Sequence, residues 1–170
     1  MWCVVHVRDK DEENAEALVA GLLSGSLNTR CFHLIRNRRK KYEGKWRTVG
    51  EELFPGYVFI ETDRPEIVHR ELKRASGPKL LFSDDGYVST LEQRESDFME
   101  MIADKDGVIP ISNVRVKDDG TVEYLSGPLV HVKNRIKKIN LHKRIAEVEV
   151  RLLGRRRTLY LGIEIEGLKG

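Results

Sequence analysis

Between residues 133 and 157 the chain carries Lys133, Arg135, Lys137, Lys138, Lys143, Arg144, Arg155, Arg156 and Arg157. They fall on what read as two loops and their flanking strands. Clustered guanidinium and ammonium groups do one thing well: they hold phosphates, with an affinity that falls as salt rises. Asn134 and His142 sit among them, and an amide and an imidazole can hydrogen-bond base edges or stack on an exposed base. If the two loops adjoin, Lys133, Asn134, Arg135, Lys137, His142, Lys143, Arg144, Arg155, Arg156 and Arg157 make a face for structured RNA. An ordinary solvated basic face is the alternative. The charge is unevenly shared: residues 1–111 hold 17 basic and 20 acidic side chains, and residues 112–170 hold 13 and 7. An overall net charge of +3 thus hides a basic back module suited to a polyanion.

A second group is aromatic. Phe54-Pro55-Gly56-Tyr57-Val58-Phe59-Ile60 joins a turn, made by a fixed φ and a free one, to a β-branched and aromatic strand. Other chemistry is poorly served. The histidines 6, 33, 69, 131 and 142 lie on different elements without ligand spacing, and Cys3 and Cys31 sit in separate apolar runs, so no metal or cofactor is expected. Neither a GxxxxGK phosphate loop nor a GxSxG elbow occurs, which argues against an enzyme. Trp2–Val7 is too short for a signal segment, and no apolar run approaches a membrane span, so a soluble cytoplasmic protein with reduced cysteines is expected.

The elements that must position these groups follow in order. Trp2–Val7 reads as a strand, and a helix follows the acidic stretch from Asp9, with Ala15, Leu18, Val19, Leu22 and Leu23 on one face and Gly25 as its stop. Cys31–Ile35 is a second strand running into the basic stretch Arg36–Lys41, then Tyr42–Lys45, then a strand from Trp46. This looks like a hairpin with a cationic tip, either a solvated loop or a phosphate contact. Phe54–Glu61 is a fourth strand. Pro65 opens a second helix bearing Ile67, Val68 and Leu72. Leu80–Phe82 and Tyr87–Ser89 flank the turn Ser83–Gly86. Leu91–Ala103 is a third helix, capped from Ser89 or Thr90. Such an order predicts an α+β domain, three helices on a mostly antiparallel sheet.

Past a linker-like passage the pattern becomes all-β. Short strands are expected at 114–117, 122–125, 136–139, 146–153 and 157–165. Five in so short a span predict a small barrel, because closure removes exposed edges. The division is 1–104, a linker 105–113, and 114–170.

Several of these residues carry a resemblance. The opening Trp2-Cys3-Val4-Val5-His6, the segment Leu53-Phe54-Pro55-Gly56-Tyr57-Val58 and the helix ending Ala75-Ser76-Gly77-Pro78 resemble the N-terminal (NGN) domain of the NusG family of transcription elongation factors. Ser126-Gly127-Pro128-Leu129, followed by Ile136–Arg144, is similar to that family's KOW domain. The resemblance covers nearly the whole chain, in the family's domain order. It implies a factor that rides on RNA polymerase. By the same resemblance, Trp2, Phe54, Tyr57 and Phe59 would belong to a pocket for the β′ clamp helices, and the stretch 60–63, with Thr62, would lie near the gate loop.

The departures point to a branch. His131 and Asn134 stand where KOW domains commonly carry glycine, and the Asn140-Leu141-His142-Lys143-Arg144 run most resembles the specialised paralogues typified by LoaP. That resemblance implies an operon-specific processive antiterminator whose partners are RNA polymerase and a leader RNA hairpin, acting as a monomer without a membrane. Non-template DNA is a further candidate partner. The alternatives are a housekeeping NusG-type factor, an RfaH-type paralogue recruited by non-template DNA, and a ribosome-associated RNA-binding module.

Overall fold

The computed structural model describes residues 1–6, 16, 17, 20, 21, 30–75 and 88–167, the side chains of 73–75 and 88 excepted. The chain divides into two compact units, one of residues 1–34 and 54–97, the other of residues 35–53 and 98–170.

The first unit is built on a four-stranded antiparallel sheet. Its strands are β1 (Trp2–His6), β2 (Arg30–Phe32), β5 (Tyr57–Glu61) and β6 (Val88–Thr90), in the order β2-β5-β1-β6. Alternation along the strands sorts the side chains. Cys3, Val5, Val58 and Ile60 face helix α1 (Pro65–Ala75) and pack with its Val68 and Leu72. The next residues over, Trp2 and Phe59, join Phe32 in an aromatic cluster, as a period of two requires. Each fully buried apolar side chain contributes about 1.5–3 kcal/mol. Helix α1 begins as expected with Pro65 in its first turn. The Thr62 hydroxyl accepts the Arg64 N–H at 3.0 Å, and the Arg64 carbonyl accepts from Ile67 and Val68.

Helix α2 (Gln93–Ile102) starts two residues later than its apolar stripe suggested. Ser89 and Thr90 belong to β6 and do not cap it. Instead the Glu95 carboxylate accepts the Glu92 N–H at 2.8 Å, the reciprocal half of a capping box. The helix expected after Asp9 is helical at 16, 17, 20 and 21, and the rest of it lies outside the described residues. So do the Leu80–Phe82 strand and the Ser83–Gly86 turn.

The second unit holds two sheets. One contains β3 (Ile35–Tyr42) and β4 (Lys45–Glu52), a hairpin, with β7 (Val108–Ile109) running parallel to β3. Here the structure corrects the expected cationic tip. Arg36–Lys41 are strand, and the turn is Glu43-Gly44, both at positive φ (50° and 78°), the geometry that matches strand twist in tight hairpins. Between α2 and β7, the Asp104 carboxylate accepts from Asp106 and Val108 N–H.

The other sheet runs β10-β11-β12-β8-β9, from β8 (Ser112–Val116), β9 (Val122–Ser126), β10 (Ile136–Asn140), β11 (Ile145–Leu152) and β12 (Arg155–Ile165). All five expected strands are present, shifted by one or two residues at their ends. Val148, Val150 and Leu152 point into the core and alternate with Glu147, Glu149 and Arg151. β12 pairs first with β11 and then, from Ile163, with β8 in parallel. Gly127 sits at φ 91°, and a Cβ there would stand 2.6 Å from Ser112 Cα. Glycine is therefore required at the corner where the Ser112 hydroxyl accepts the buried Leu129 N–H at 3.0 Å.

Candidate nucleic-acid interface

The cationic residues named from the sequence divide into two groups. Lys133, Asn134 and Arg135 form a short 3-10 turn ahead of β10. Its start of β10 pairs with the middle of β11, Ile136 opposite Val148, and β11 leads to the turn at Leu153-Gly154. Asn134, Arg135, Lys137 and Arg156 line an open cleft of about 510 Å³ with Arg151 and Glu149. Glu149 occupies its centre of charge: Lys137 Nζ lies 3.3 Å from it and Arg156 Nε 2.9 Å. Lys133 rides over the Tyr124 ring at 6.0 Å and Arg135 over the Phe98 ring at 5.0 Å. Burial pushes the Tyr124 phenol above its ordinary value, which keeps it neutral beneath the ammonium. Arg155 is exposed and Arg157 half-buried on the first residues of β12.

His142, Lys143 and Arg144 lie at the opposite end of β11. Its eight residues separate the groups by roughly 23 Å at about 3.3 Å per residue. The turn is held locally: Asn140 Oδ1 accepts the Lys143 N–H at 2.9 Å, and Arg144 takes φ 57°. What adjoins it is the β3–β4 hairpin. Arg38 donates to the Lys143 carbonyl at 3.3 Å, and Arg36 to the Tyr160 carbonyl at 2.9 Å. Arg39 pairs with Glu164 at 2.8 Å. The Arg144 guanidinium sits 4.9 Å above the Trp46 ring centroid, and Lys41 Nζ is 5.9 Å from the same ring. Together they enclose a cleft of about 440 Å³ lined by hairpin and turn, including Lys41, Trp46, His142, Lys143 and Arg144. A neighbouring cleft of about 670 Å³ shares Arg38 and Lys143 and adds Lys138, Asn140, Glu147 and Tyr160.

Arg38, Arg39, Lys41 and Trp46 are absent from the set named from the sequence, although the basic run itself was visible there. The overlooked signal is the pairing of that run with Trp46 just past a Glu-Gly turn, an aromatic set among cations. Carboxylates neutralise part of the run, since Arg36, Arg38 and Lys40 all reach Glu51 at 3.4–3.7 Å.

The aromatic group has another character. Trp2, Phe54, Phe59 and Thr62 are buried, at 2%, 6%, 1% and 1% exposure. Phe59 has Trp2, Phe32 and Phe54 within about 6 Å, centroid to centroid, and the Thr62 hydroxyl is committed to α1. Of the five, only Tyr57 reaches the surface, half-buried and stacked on His6 at 4.8 Å.

Residues 1–95 match the family model described as NusG, transcription termination factor nusG. No curated protein matches at a significant level. Among solved structures, that titled "Domain interaction in Thermotoga maritima NusG" aligns with 95% of this chain and 92% of its own, at 19% identity and a TM-score of 0.43. Among the described residues no helix is long and apolar enough to cross a membrane.

Proposed function

Since the chain belongs to the NusG family of transcription factors, we propose that it is an operon-specific processive antiterminator, bound to RNA polymerase through its front module and to a leader RNA hairpin through its back module. The observation that carries this reading is the concentration of cations in residues 112–170, 13 against 7 acids, arranged around clefts that also offer Asn134 and His142. Phosphate contacts give affinity and salt dependence, and the amide and imidazole give selectivity. Its divergence at His131 and Asn134 supports a LoaP-like role over a housekeeping one.

On this reading residues 1–104 form the polymerase-binding domain, 105–113 the connection and 114–170 an RNA-binding KOW barrel. Family members bind RNA polymerase. Tyr57 and His6, the surface pair in front of the buried aromatics, would touch the clamp helices first, with Trp2, Phe54, Phe59 and Thr62 keeping that surface rigid. Rigid aromatics lose little entropy on binding, which suits them to anchor an interface. The protein performs no bond chemistry. Holding the polymerase clamp in one conformation is a population shift, and its size is the difference in affinity for the two states. A partner bound in this way pauses and terminates less.

The test is binding of the purified protein to a leader hairpin and to a scrambled hairpin across a salt series. Discrimination that persists as salt rises supports the proposal. Equal, weak binding to both that collapses with salt would leave only phosphate attraction and sink it.

A further inference from the structure

Resting on that reading, we infer that the RNA seats in the cleft between the β3–β4 hairpin and the Leu141–Arg144 turn, so that the hairpin is part of the RNA reader. Three basic clefts compete for the role, and the carboxylates in their linings separate them. Glu149 lines one and Glu147 another, whereas the cleft between hairpin and turn has no acidic residue in its lining. In the cleft around Asn134, Lys137 and Arg156 are already engaged by Glu149 at 3.3 and 2.9 Å. A phosphate entering there must displace a carboxylate and meets its repulsion. In the cleft between hairpin and turn, Arg38, Arg39 and Lys40 pair with Glu51 and Glu164, neither of which lines it. Lys41, Lys143 and Arg144 have no carboxylate partner among the described residues, and His142 is exposed beside them. Unpaired cations around a concave site concentrate positive potential and gain most from an arriving anion.

The aromatic component adds geometry. The Trp46 ring restrains the Arg144 guanidinium from 4.9 Å, and a guanidinium held against an aromatic ring offers its accessible donors to a phosphate. Trp46 is therefore a positioning residue acting through Arg144. The seat is stiff because it is pinned from behind. Arg36 and Arg38 donate to backbone carbonyls of Tyr160 in β12 and Lys143 in the turn, and Arg39 pairs with Glu164. Gly162 lets the β3 backbone lie directly on β12, where a Cβ would stand 2.7 Å from Arg38 Cα and closer still to the Asn37 carbonyl. The cationic run on β3 thus splits its labour: Arg36, Arg38 and Arg39 bind protein, and Lys41 faces the ligand. A concave basic seat with an aromatic ring and an exposed imidazole suits a bent, unpaired stretch of RNA, such as a hairpin loop, whose splayed bases can be stacked and read.

The experiment uses the full chain and a fluorescein-labelled RNA hairpin enriched from a pool with a randomised loop. The same stem closed as a plain duplex and a loop-scrambled hairpin serve as controls. Anisotropy is read across a salt series for the parent, Lys41→Glu with Lys143→Glu, Trp46→Ala, Trp46→Phe, and Lys137→Glu with Arg156→Glu. Circular dichroism melts check that each variant folds. Charge reversal at Lys41 and Lys143 is expected to weaken hairpin binding at least tenfold, as losing charged hydrogen bonds does, and to flatten the salt slope by about two. Trp46→Ala should weaken binding and flatten the slope by up to about one, because Arg144 loses its phosphate geometry, and Trp46→Phe should restore both. The Lys137/Arg156 pair should cost clearly less. The inference is overturned if that pair costs more, or if Lys41 and Lys143 reversal leaves affinity intact while the parent still prefers the enriched hairpin. If the parent itself fails to discriminate hairpin from scrambled loop, the proposed function falls, and the seat with it.

Discussion

Phe59 shows how much a single side chain can be asked to do. It is 1% exposed, lies opposite Val4 across the ladder, and has three aromatic rings within about 6 Å. Truncation to alanine should cost about 3–5 kcal/mol, a large share of the stability of a domain this size. The lowered urea midpoint of Phe59→Ala would measure it, and a shift under about 1 kcal/mol would mean the cluster repacks. Cys31 is a gentler case. Burial, with the Glu16 carboxylate adding to it, pushes its thiol up to about 11 from 9.0. A raised thiol pKa means the folded state favours the neutral form. Stability from this group is thus whole below about pH 9 and drains away as pH rises toward about 11. Over that window the melting temperature of Cys31→Ala should fall less than the parent's. At this scale the sequence was informative about kind and only partly about direction. Aromatics at 2, 54, 57 and 59 were plain to see, but which of them would be walled in depends on Phe32, whose position across β5 no local pattern encodes.

Elements were legible where alternation was unbroken. Val148, Val150 and Leu152 against Glu147, Glu149 and Arg151 announce β11, and Pro65 announces α1. Arg36–Lys41 is the counter-example. Its composition looks like loop, because charge hides strand propensity, and what makes it strand is an eight-residue ladder with β4 and a parallel partner at Val108-Ile109. The ladder is local, but the parallel partner comes from residues far along the chain, and pairing overrides local preference there. The same element carries a prediction. Gly162→Ala drives a Cβ into the backbone at Asn37 and Arg38, and backbone cannot give as a flexible side chain can. The expected penalty is about 1–3 kcal/mol, with loss of hairpin docking. Thermal melts together with faster amide exchange across residues 36–41 would show it. Unchanged exchange would mean that β3 and β12 separate without consequence.

At the scale of the whole molecule, the proposed function assigns two binding activities, one to the surface around Tyr57 and one to the basic cleft, that can be removed one at a time. Tyr57 belongs to the first unit, stacked on His6 and half exposed, whereas Lys41, Lys143 and Arg144 belong to the second. Sites without shared partners respond additively. Tyr57→Ala is therefore expected to weaken capture by immobilised RNA polymerase by about tenfold, the size of a modest interface anchor, and to leave RNA affinity and its salt slope alone. Arg144→Gln should do the reverse. The double variant should then show both defects and no more, measured by polymerase pull-down and hairpin anisotropy on one set of preparations. Crossed effects would have a specific meaning. If Tyr57→Ala also lowered RNA affinity, the two activities would be coupled, and RNA capture would itself alter the polymerase-binding surface by a reciprocal free energy. Independent effects would instead make the RNA a tether, raising the local concentration of the polymerase-binding surface near the transcribing enzyme.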